Sequence, residues 1–169
     1  LTSDLLMTNG SACSFDGLRI NVSNVVLDCS NFAIQGNNNG YGVMLDNSDD
    51  VSIIGCSISN FSQGIYFSSS DNAIVRNNSL ANNNKGIYVD SSVGNIFYYN
   101  DFSQNTVHAY SNNPANQFNT TISGKPIGNF WDNTQNLAIF DSDADSYGDF
   151  GQQYPYNSSN GGNVVNVTD

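Results

Sequence analysis

The sequence predicts an all-β solenoid, which is a stack of similar coils built from short parallel strands. One observation is a 22-residue repeat, which occurs in register over residues 47–68, 69–90 and 91–112. A second is that apolar residues recur in fixed columns of this repeat, while Asn, Ser, Asp and Gly fill the positions between them. Both features are typical of proteins in which each repeat packs only against its neighbours.

The apolar columns predict three strands in each coil. Val51 and Ile53 alternate with polar positions, and a period of two indicates a strand with one buried face. Each strand is expected to pair in parallel with its counterpart one coil on, about 4.8 Å away. The columns are Ile53, Val75 and Phe97; Ile58, Leu80 and Phe102; Ile65, Ile87 and Ala109; and Phe67 and Val89.

The pattern also sets the expected limits of the solenoid. It extends upstream to Leu18 with looser spacing, and residues 36–40 look like an insertion in one turn, so about five coils are expected up to Asn113. Residues 1–113 are therefore predicted to form an N-terminal cap and the coils. Residues 114–169 carry all three prolines and the only Trp, and they are predicted to form a closing segment of the same structural domain.

Asparagine is abundant, and it disfavours helix interiors because its side chain competes for backbone hydrogen bonds. Stacked asparagines can instead form ladders of amide hydrogen bonds. Cys56, Asn78 and Asn100 occupy one column of the repeat. We expect this column to contain an internal ladder.

The motifs GIYFSSSDNAIVRNNSL, NNNKGIYVDSS and NVVLDCSN resemble right-handed parallel β-helix proteins of the pectate-lyase-like superfamily. They are most similar to an Asn- and Ser-rich group that includes periplasmic copper-protein maturation factors and many microbial surface proteins. The resemblance implies a right-handed parallel β-helix, a fold that hosts lyases, epimerases, adhesins and scaffolds. Copper is not expected to carry over, because one His with Met7 and Met44 makes a poor copper ligand set.

The composition excludes several classes of partner. The net charge of -11 argues against nucleic acid and against an anionic membrane surface. No segment is apolar enough to be inserted in a membrane. The chain begins without Met and shows no signal peptide, which favours a mature product or an excerpt of a secreted, extracellular or cell-surface protein.

An acidic segment near the end of the sequence predicts a calcium site. Oxygen ligands at alternating loop positions suit Ca²⁺, and such a site would act as a structural cofactor that holds the closing segment. The motif lacks the usual Gly at position 6 and Glu at position 12, and its alternative is a solvated acidic turn. The predicted ligands are Asp141, Asp143, Asp145, Asp149 and the Tyr147 carbonyl.

Cysteines and glycosylation signals leave alternatives open. Cys29 and Cys56 follow equivalent strands and can form a disulfide, Cys13 can pair with Cys29 instead, and all three can also be buried thiols.

Seven Asn-x-Ser/Thr signals are possible N-glycosylation sites, although many arise by chance in this composition. They are Asn9, Asn21, Asn60, Asn77, Asn119, Asn157 and Asn166.

A column of tyrosines is the main candidate binding surface. Tyr66, Tyr88 and Tyr110 lie between inward-facing positions, so their rings are predicted to point outward, with Met44 before them in the same column. An outward ladder can stack on glycans, bury against another protein, or stack only on itself.

Enzyme signatures are sparse. The single histidine, His108, stands where other repeats have Gly64 and Gly86, and it can simply fill a turn position that does not require Gly.

The sequence therefore favours a calcium-stabilised structural protein that self-associates in a fibre, surface layer or adhesive stalk. A carbohydrate-binding module or adhesin is the alternative, and a polysaccharide lyase or epimerase is a less favoured one.

Overall fold

The protein is a right-handed parallel β-helix, as the sequence predicts. The computed structural model describes residues 5–6, 16–134, 139–142, 144, 150–151, 155–159 and 163–169. These residues contain no α-helix. The described part of the chain accordingly has no helix that could span a membrane.

Three parallel sheets run along the solenoid, and each coil contributes one strand to each sheet. The first sheet contains, in spatial order, β1 (Leu5–Leu6), β4 (Ala33–Gln35), β7 (Ser57–Ser59), β10 (Ser79–Ala81), β13 (Asp101–Ser103) and β17 (Phe130–Trp131). The second contains β2 (Leu18–Ile20), β5 (Tyr41–Asp46), β8 (Gln63–Ser68), β11 (Lys85–Asp90), β14 (Val107–Ser111) and β20 (Val164–Val165). The third contains β3 (Val26–Asp28), β6 (Ser52–Ile54), β9 (Ile74–Arg76) and β12 (Ile96–Tyr98).

The described residues form four complete three-stranded coils, and β14 begins a fifth, compared with the expected total of about five. The strands pair in the register of the sequence repeat: Ile65 lies beside Ile87, and Ile87 lies beside Ala109. Two short antiparallel hairpins lie outside this pattern, β15 (Thr120–Ile122) with β16 (Lys125–Ile127) and β18 (Ile139–Phe140) with β19 (Phe150–Gly151).

The core consists of the predicted apolar columns. Ile53, Ile58, Ile65 and Phe67 and their equivalents in the next coil are all fully buried. Each coil therefore adds one layer of side chains to a continuous core, and the hydrophobic contribution to stability grows with the number of coils.

Polar ladders run beside the apolar columns. The asparagine ladder consists of Cys56, Asn78, Asn100 and Asn129, and it confirms the ladder predicted from the sequence. In it, Asn78 Oδ1 accepts the Cys56 N–H at 2.8 Å, and Asn100 Oδ1 accepts the Asn78 N–H at 3.1 Å. Similar side chain–backbone bonds link Phe61, Asn83 and Asn105, and also Ser48, Ser70 and Ser92. The ladders satisfy buried turn amides that no strand can pair.

Aromatic residues close the C-terminal end of the solenoid. Trp131 is buried and stacks on Phe102 at 4.4 Å between ring centroids, and Tyr156 stacks on Trp131 at 4.7 Å. Phe118 adds a further buried ring against Phe97. The neighbour of Trp131, Phe130, points to the opposite face of β17 and stays 37% exposed.

A disulfide joins Cys29 to Cys56 across adjacent coils, with 4.8 Å between the Cα atoms. Both cysteines are buried, and Cys13 lies outside the described residues.

N-glycosylation remains a prediction. Asn9 lies outside the described residues, Asn60 and Asn157 are half-buried, and Asn21, Asn77, Asn119 and Asn166 are exposed.

Candidate functional site

Tyr41, Tyr66, Tyr88 and Tyr110 form a strip of half-exposed rings on the outer face of the second sheet, here called the tyrosine strip. In β8, Ile65 and Phe67 face the core, and Tyr66 between them faces outward. The strand register aligns Tyr66 with Tyr88 and Tyr88 with Tyr110, as the sequence predicts.

The strip gains one ring that the sequence columns do not predict. Met44 occupies the register position beside Tyr66, but the ring that stacks on Tyr66 belongs to Tyr41, three residues earlier in β5. The long phenol side chain of Tyr41 reaches across to the neighbouring column, which a column alignment alone does not show.

The rings of the tyrosine strip stack mainly on one another. The centroids of Tyr41 and Tyr66 are 4.8 Å apart at an interplanar angle of 17°, and those of Tyr66 and Tyr88 are 5.3 Å apart at 19°. Tyr110 meets Tyr88 edge-on, at 4.8 Å and 63°. Both faces of the Tyr66 ring are therefore covered, and this ring presents its edge and hydroxyl group to the outside.

Charges of both signs flank the tyrosine strip. Lys85 Nζ lies 4.2 Å from the centroid of the Tyr88 ring, which is a cation–π contact. Arg19 forms an ion pair with Asp46 at the other end of the strip. Asp90 accepts a hydrogen bond from Asn112 Nδ2 at 2.6 Å.

The hydroxyl groups of Tyr66 and Tyr88 stay protonated at neutral pH. Burial raises the pKa of Tyr66 and of Tyr88, and the nearby Asp90 carboxylate raises both further. Both hydroxyls therefore keep a proton and can donate as well as accept hydrogen bonds. The Tyr66 hydroxyl already has a hydrogen bond to the Ser68 side chain.

His108 lies inside the last coil and not on the tyrosine strip. At the equivalent positions, a Cβ on Gly64 or Gly86 would lie 2.6 or 2.5 Å from the backbone oxygen of the next coil. His108 lies within strand β14, not in the turn position that the sequence suggests, and its N–H donates to the Asn163 carbonyl, next to β20, at 2.5 Å. His108 is 1% exposed and packs near Phe102 and Trp131.

The His108 imidazole has one acidic neighbour. Its Nε2 lies 3.0 Å from Asp132 Oδ1, and its Nδ1 lies 3.4 Å from Asn105 Nδ2. Burial lowers the pKa of His108, and the Asp132 carboxylate only partly opposes this effect. The structure therefore separates His108 from the outward Tyr110, and the two do not form a common surface cluster.

A family model described as "Periplasmic copper-binding protein (NosD)" matches residues 7–136. The chain belongs to the NosD family. The NosD description is compatible with a location in the cell envelope, and a secreted or extracellular state remains a prediction. No curated protein and no solved structure matches the chain.

The prediction of calcium as the cofactor is wrong, because the NosD family is described as copper-binding. The described residues contain no group of three His, Cys or Asp side chains that could hold a metal ion. Of the predicted calcium ligands, Asp141 is exposed, whereas Asp143, Asp145, Tyr147 and Asp149 lie outside the described residues. The sequence signal against calcium was the absence of the Gly and Glu that are usual at positions 6 and 12 of calcium loops.

The described residues do not fit a copper centre either. Copper sites use Cys, Met and His ligands. In this NosD-family chain, Cys29 and Cys56 are joined to each other, and His108 is buried beside Asp132. Met44 lies on the outer face of the second sheet, between Arg19 and Tyr66. Among the described residues these potential ligands belong to separate parts of the fold, and no common site brings them together.

Proposed function

We propose that this NosD-family chain is a structural scaffold of the cell envelope that self-associates side to side through the tyrosine strip. The single observation that carries the proposal is the strip itself, four half-exposed tyrosines in register along the solenoid. Tyrosine is enriched in protein interfaces because it combines a large apolar area with a polar end.

The ring geometry favours a protein partner over a sugar on this strip. Sugar rings stack on open aromatic faces, and both faces of Tyr66 are already covered by Tyr41 and Tyr88. A protein surface can instead pack against ring edges and bond to the hydroxyl groups. The adhesin function suggested by the sequence is therefore not assigned to the tyrosine strip.

A second copy of the chain is the partner that the charges favour. A two-fold interface brings the same patch together from both copies. The strip carries the cations Arg19 and Lys85 beside the anions Asp46 and Asp90, so two copies do not meet there as surfaces of one sign. The net charge of -11 opposes association elsewhere on the surface, and added salt should weaken this repulsion.

Side-to-side association is favoured over stacking of the solenoid ends. The C-terminal end is closed by Trp131 and Tyr156, with β17 and β20 paired over the last full strands. Copper binding is not part of the proposal, because the described residues provide no copper ligand set.

Sedimentation velocity over a wide range of protein concentration tests this function. We expect the wild type to form dimers or larger assemblies and the double variant Tyr66→Ala/Tyr88→Ala to stay monomeric. Tyr98→Ala is a matched control, because Tyr98 is half-buried on the outer face of the third sheet. Circular dichroism should show that all three proteins are folded.

Two outcomes would overturn the proposal. A wild type that remains monomeric at high concentration, in both low and moderate salt, has no self-association to explain. A double variant that associates as strongly as Tyr98→Ala would show that another surface is responsible.

A further inference from the structure

We propose that the solenoid binds a neutral glycan chain in a second site, the amide groove, which is independent of the tyrosine strip and of the proposed function. The groove is shallow, about 420 Å³ in volume, and it follows the corner between the first and second sheets. Its outer lining consists of Asn38, Asn60, Asn82, Asn84, Gln104 and Thr106.

The groove contains one amide from each of four successive coils. Asn38, Asn60, Asn82 and Gln104 are separated by the repeat length, and all four have left-handed backbones, with φ values of 70°, 60°, 55° and 54°. Because the equivalent turn recurs in each coil, these side chains form a row parallel to the solenoid axis. The row matches an extended ligand better than a compact one.

The outer amides of this corner differ from the inner ones in their hydrogen bonds. The buried Asn83 donates to the Ile58 carbonyl at 3.2 Å and accepts the Phe61 N–H at 3.0 Å. In the part of the chain that the structure describes, the side-chain amides of Asn60 and Asn82 make no hydrogen bond to protein. The inner asparagines hold the turn together, whereas the outer ones are available to a ligand.

The chemistry of the lining fits sugar hydroxyl groups. An amide side chain offers both a donor and an acceptor, and adjacent sugar hydroxyls require both. None of the lining residues is charged. One carboxylate, Asp132, lies at the end of the row and accepts the Gln104 N–H at 2.7 Å. Together with the net charge of -11, this carboxylate disfavours polyuronates and other anionic chains.

Isothermal titration calorimetry with defined oligosaccharides tests the proposal. The probes are cello- and chito-oligosaccharides of increasing length as neutral chains, and oligogalacturonate as the anionic chain. The protein is produced in a host that does not N-glycosylate, because Asn60 begins an Asn-Phe-Ser signal. We expect binding of a neutral series, with affinity that increases with chain length, and little binding of oligogalacturonate.

The double variant Asn60→Gly/Asn82→Gly removes two amides without straining the turn, because glycine readily adopts left-handed backbones. We expect at least about tenfold weaker binding, since each lost hydrogen bond contributes a few-fold or more to affinity. Asn72→Gly is the matched control: Asn72 is exposed and left-handed, with φ of 58°, but lies at a different corner. It should bind like the wild type.

Three results would refute the glycan site. They are equal affinity of the double variant and the Asn72→Gly control, absence of binding to both neutral series, and tighter binding of oligogalacturonate than of either neutral chain. Self-association of the double variant should match the wild type in sedimentation velocity, because the amide groove and the tyrosine strip do not share residues. Failure of one proposal is therefore distinguishable from failure of the other.

Discussion

Replacement of Asn100 by alanine tests whether the asparagine ladder stabilises the solenoid. Asn100 Oδ1 accepts from the backbone N–H and from Nδ2 of Asn78, at 3.1 and 3.0 Å. Asn100 Nδ2 donates to the Val75 carbonyl at 2.9 Å and to Asn129 Oδ1 at 3.0 Å. Alanine removes all four hydrogen bonds from a site that is 1% exposed.

The expected loss is a large part of the stability of the protein. A buried hydrogen bond contributes about 1 kcal/mol, and a buried donor left without an acceptor costs about 1–3 kcal/mol. Asn78 Nδ2 keeps a second acceptor in the Ile53 carbonyl, but the Asn78 N–H has no other acceptor among its described contacts. We therefore expect a loss of about 4 kcal/mol, compared with a typical total of about 5–15 kcal/mol.

Thermal and urea unfolding, followed by circular dichroism and by Trp131 fluorescence, measure this loss. For a chain of this size, about 4 kcal/mol corresponds to a decrease in Tm of about 8–16 °C. Asn84→Ala is the control, because Asn84 is exposed in the same fold and should change the stability by less than about 0.5 kcal/mol. A loss below about 1 kcal/mol for Asn100→Ala would refute the view that the ladder is a principal source of stability.

Three further perturbations have defined outcomes. Reduction of the Cys29–Cys56 disulfide, which closes a separation of 27 residues, should lower the free energy of unfolding by about 3–4 kcal/mol in a urea titration. Gly86→Ala should cost about 3 kcal/mol in the same titration, because its Cβ would lie 2.5 Å from the His108 backbone oxygen. Burial raises the pKa of Asp169 to about 7 from 3.8, so its contribution to stability is complete below about pH 4 and is lost as the pH rises through 7. The difference in Tm between wild type and Asp169→Asn, measured from pH 4.5 to 8, should follow this loss.

Each of these perturbations has a control or a contradicting result. The double variant Cys29→Ala/Cys56→Ala should not respond to reductant, and a response would point to another cause. In Gly124→Ala the new Cβ has open space, and only the left-handed backbone, with φ of 81°, opposes alanine, at about 1–2 kcal/mol, so this variant should cost less than Gly86→Ala. A pH profile that is unchanged by Asp169→Asn would show that this carboxyl does not titrate in the folded protein within that range.

The fold was predictable because the repeat places chemically similar residues in the same layer. Ile53, Val75 and Phe97 were expected in one buried column from spacing alone, and all three are fully buried. Cys56, Asn78 and Asn100 were expected in one ladder for the same reason. A second polar column, Ser48, Ser70 and Ser92, carries the same signal of identical residues at the repeat length and could have been predicted in the same way.

The candidate sites were less predictable, because they depend on side-chain reach and on breaks in the repeat. Tyr41 joins the tyrosine strip from outside its column, and Asp132 meets His108 from a segment that does not follow the repeat. The amide groove had a visible signal in Asn60, Asn82 and Gln104 at the repeat spacing. Sequence alone, however, does not show which asparagines of a corner point inward and which point outward.

The asparagine ladder also makes the solenoid extensible. Asn78 Oδ1 accepts the N–H of Cys56 in the coil before it, just as Asn100 Oδ1 accepts the N–H of Asn78. The two faces of a coil therefore offer the same hydrogen-bonding groups to each neighbouring coil. A duplicate of residues 69–90 inserted after residue 90 would therefore find matching partners on both sides. Such a chain should fold with one additional coil, about 4.8 Å longer, and the length of the molecule can change in whole coils without redesign of its interior.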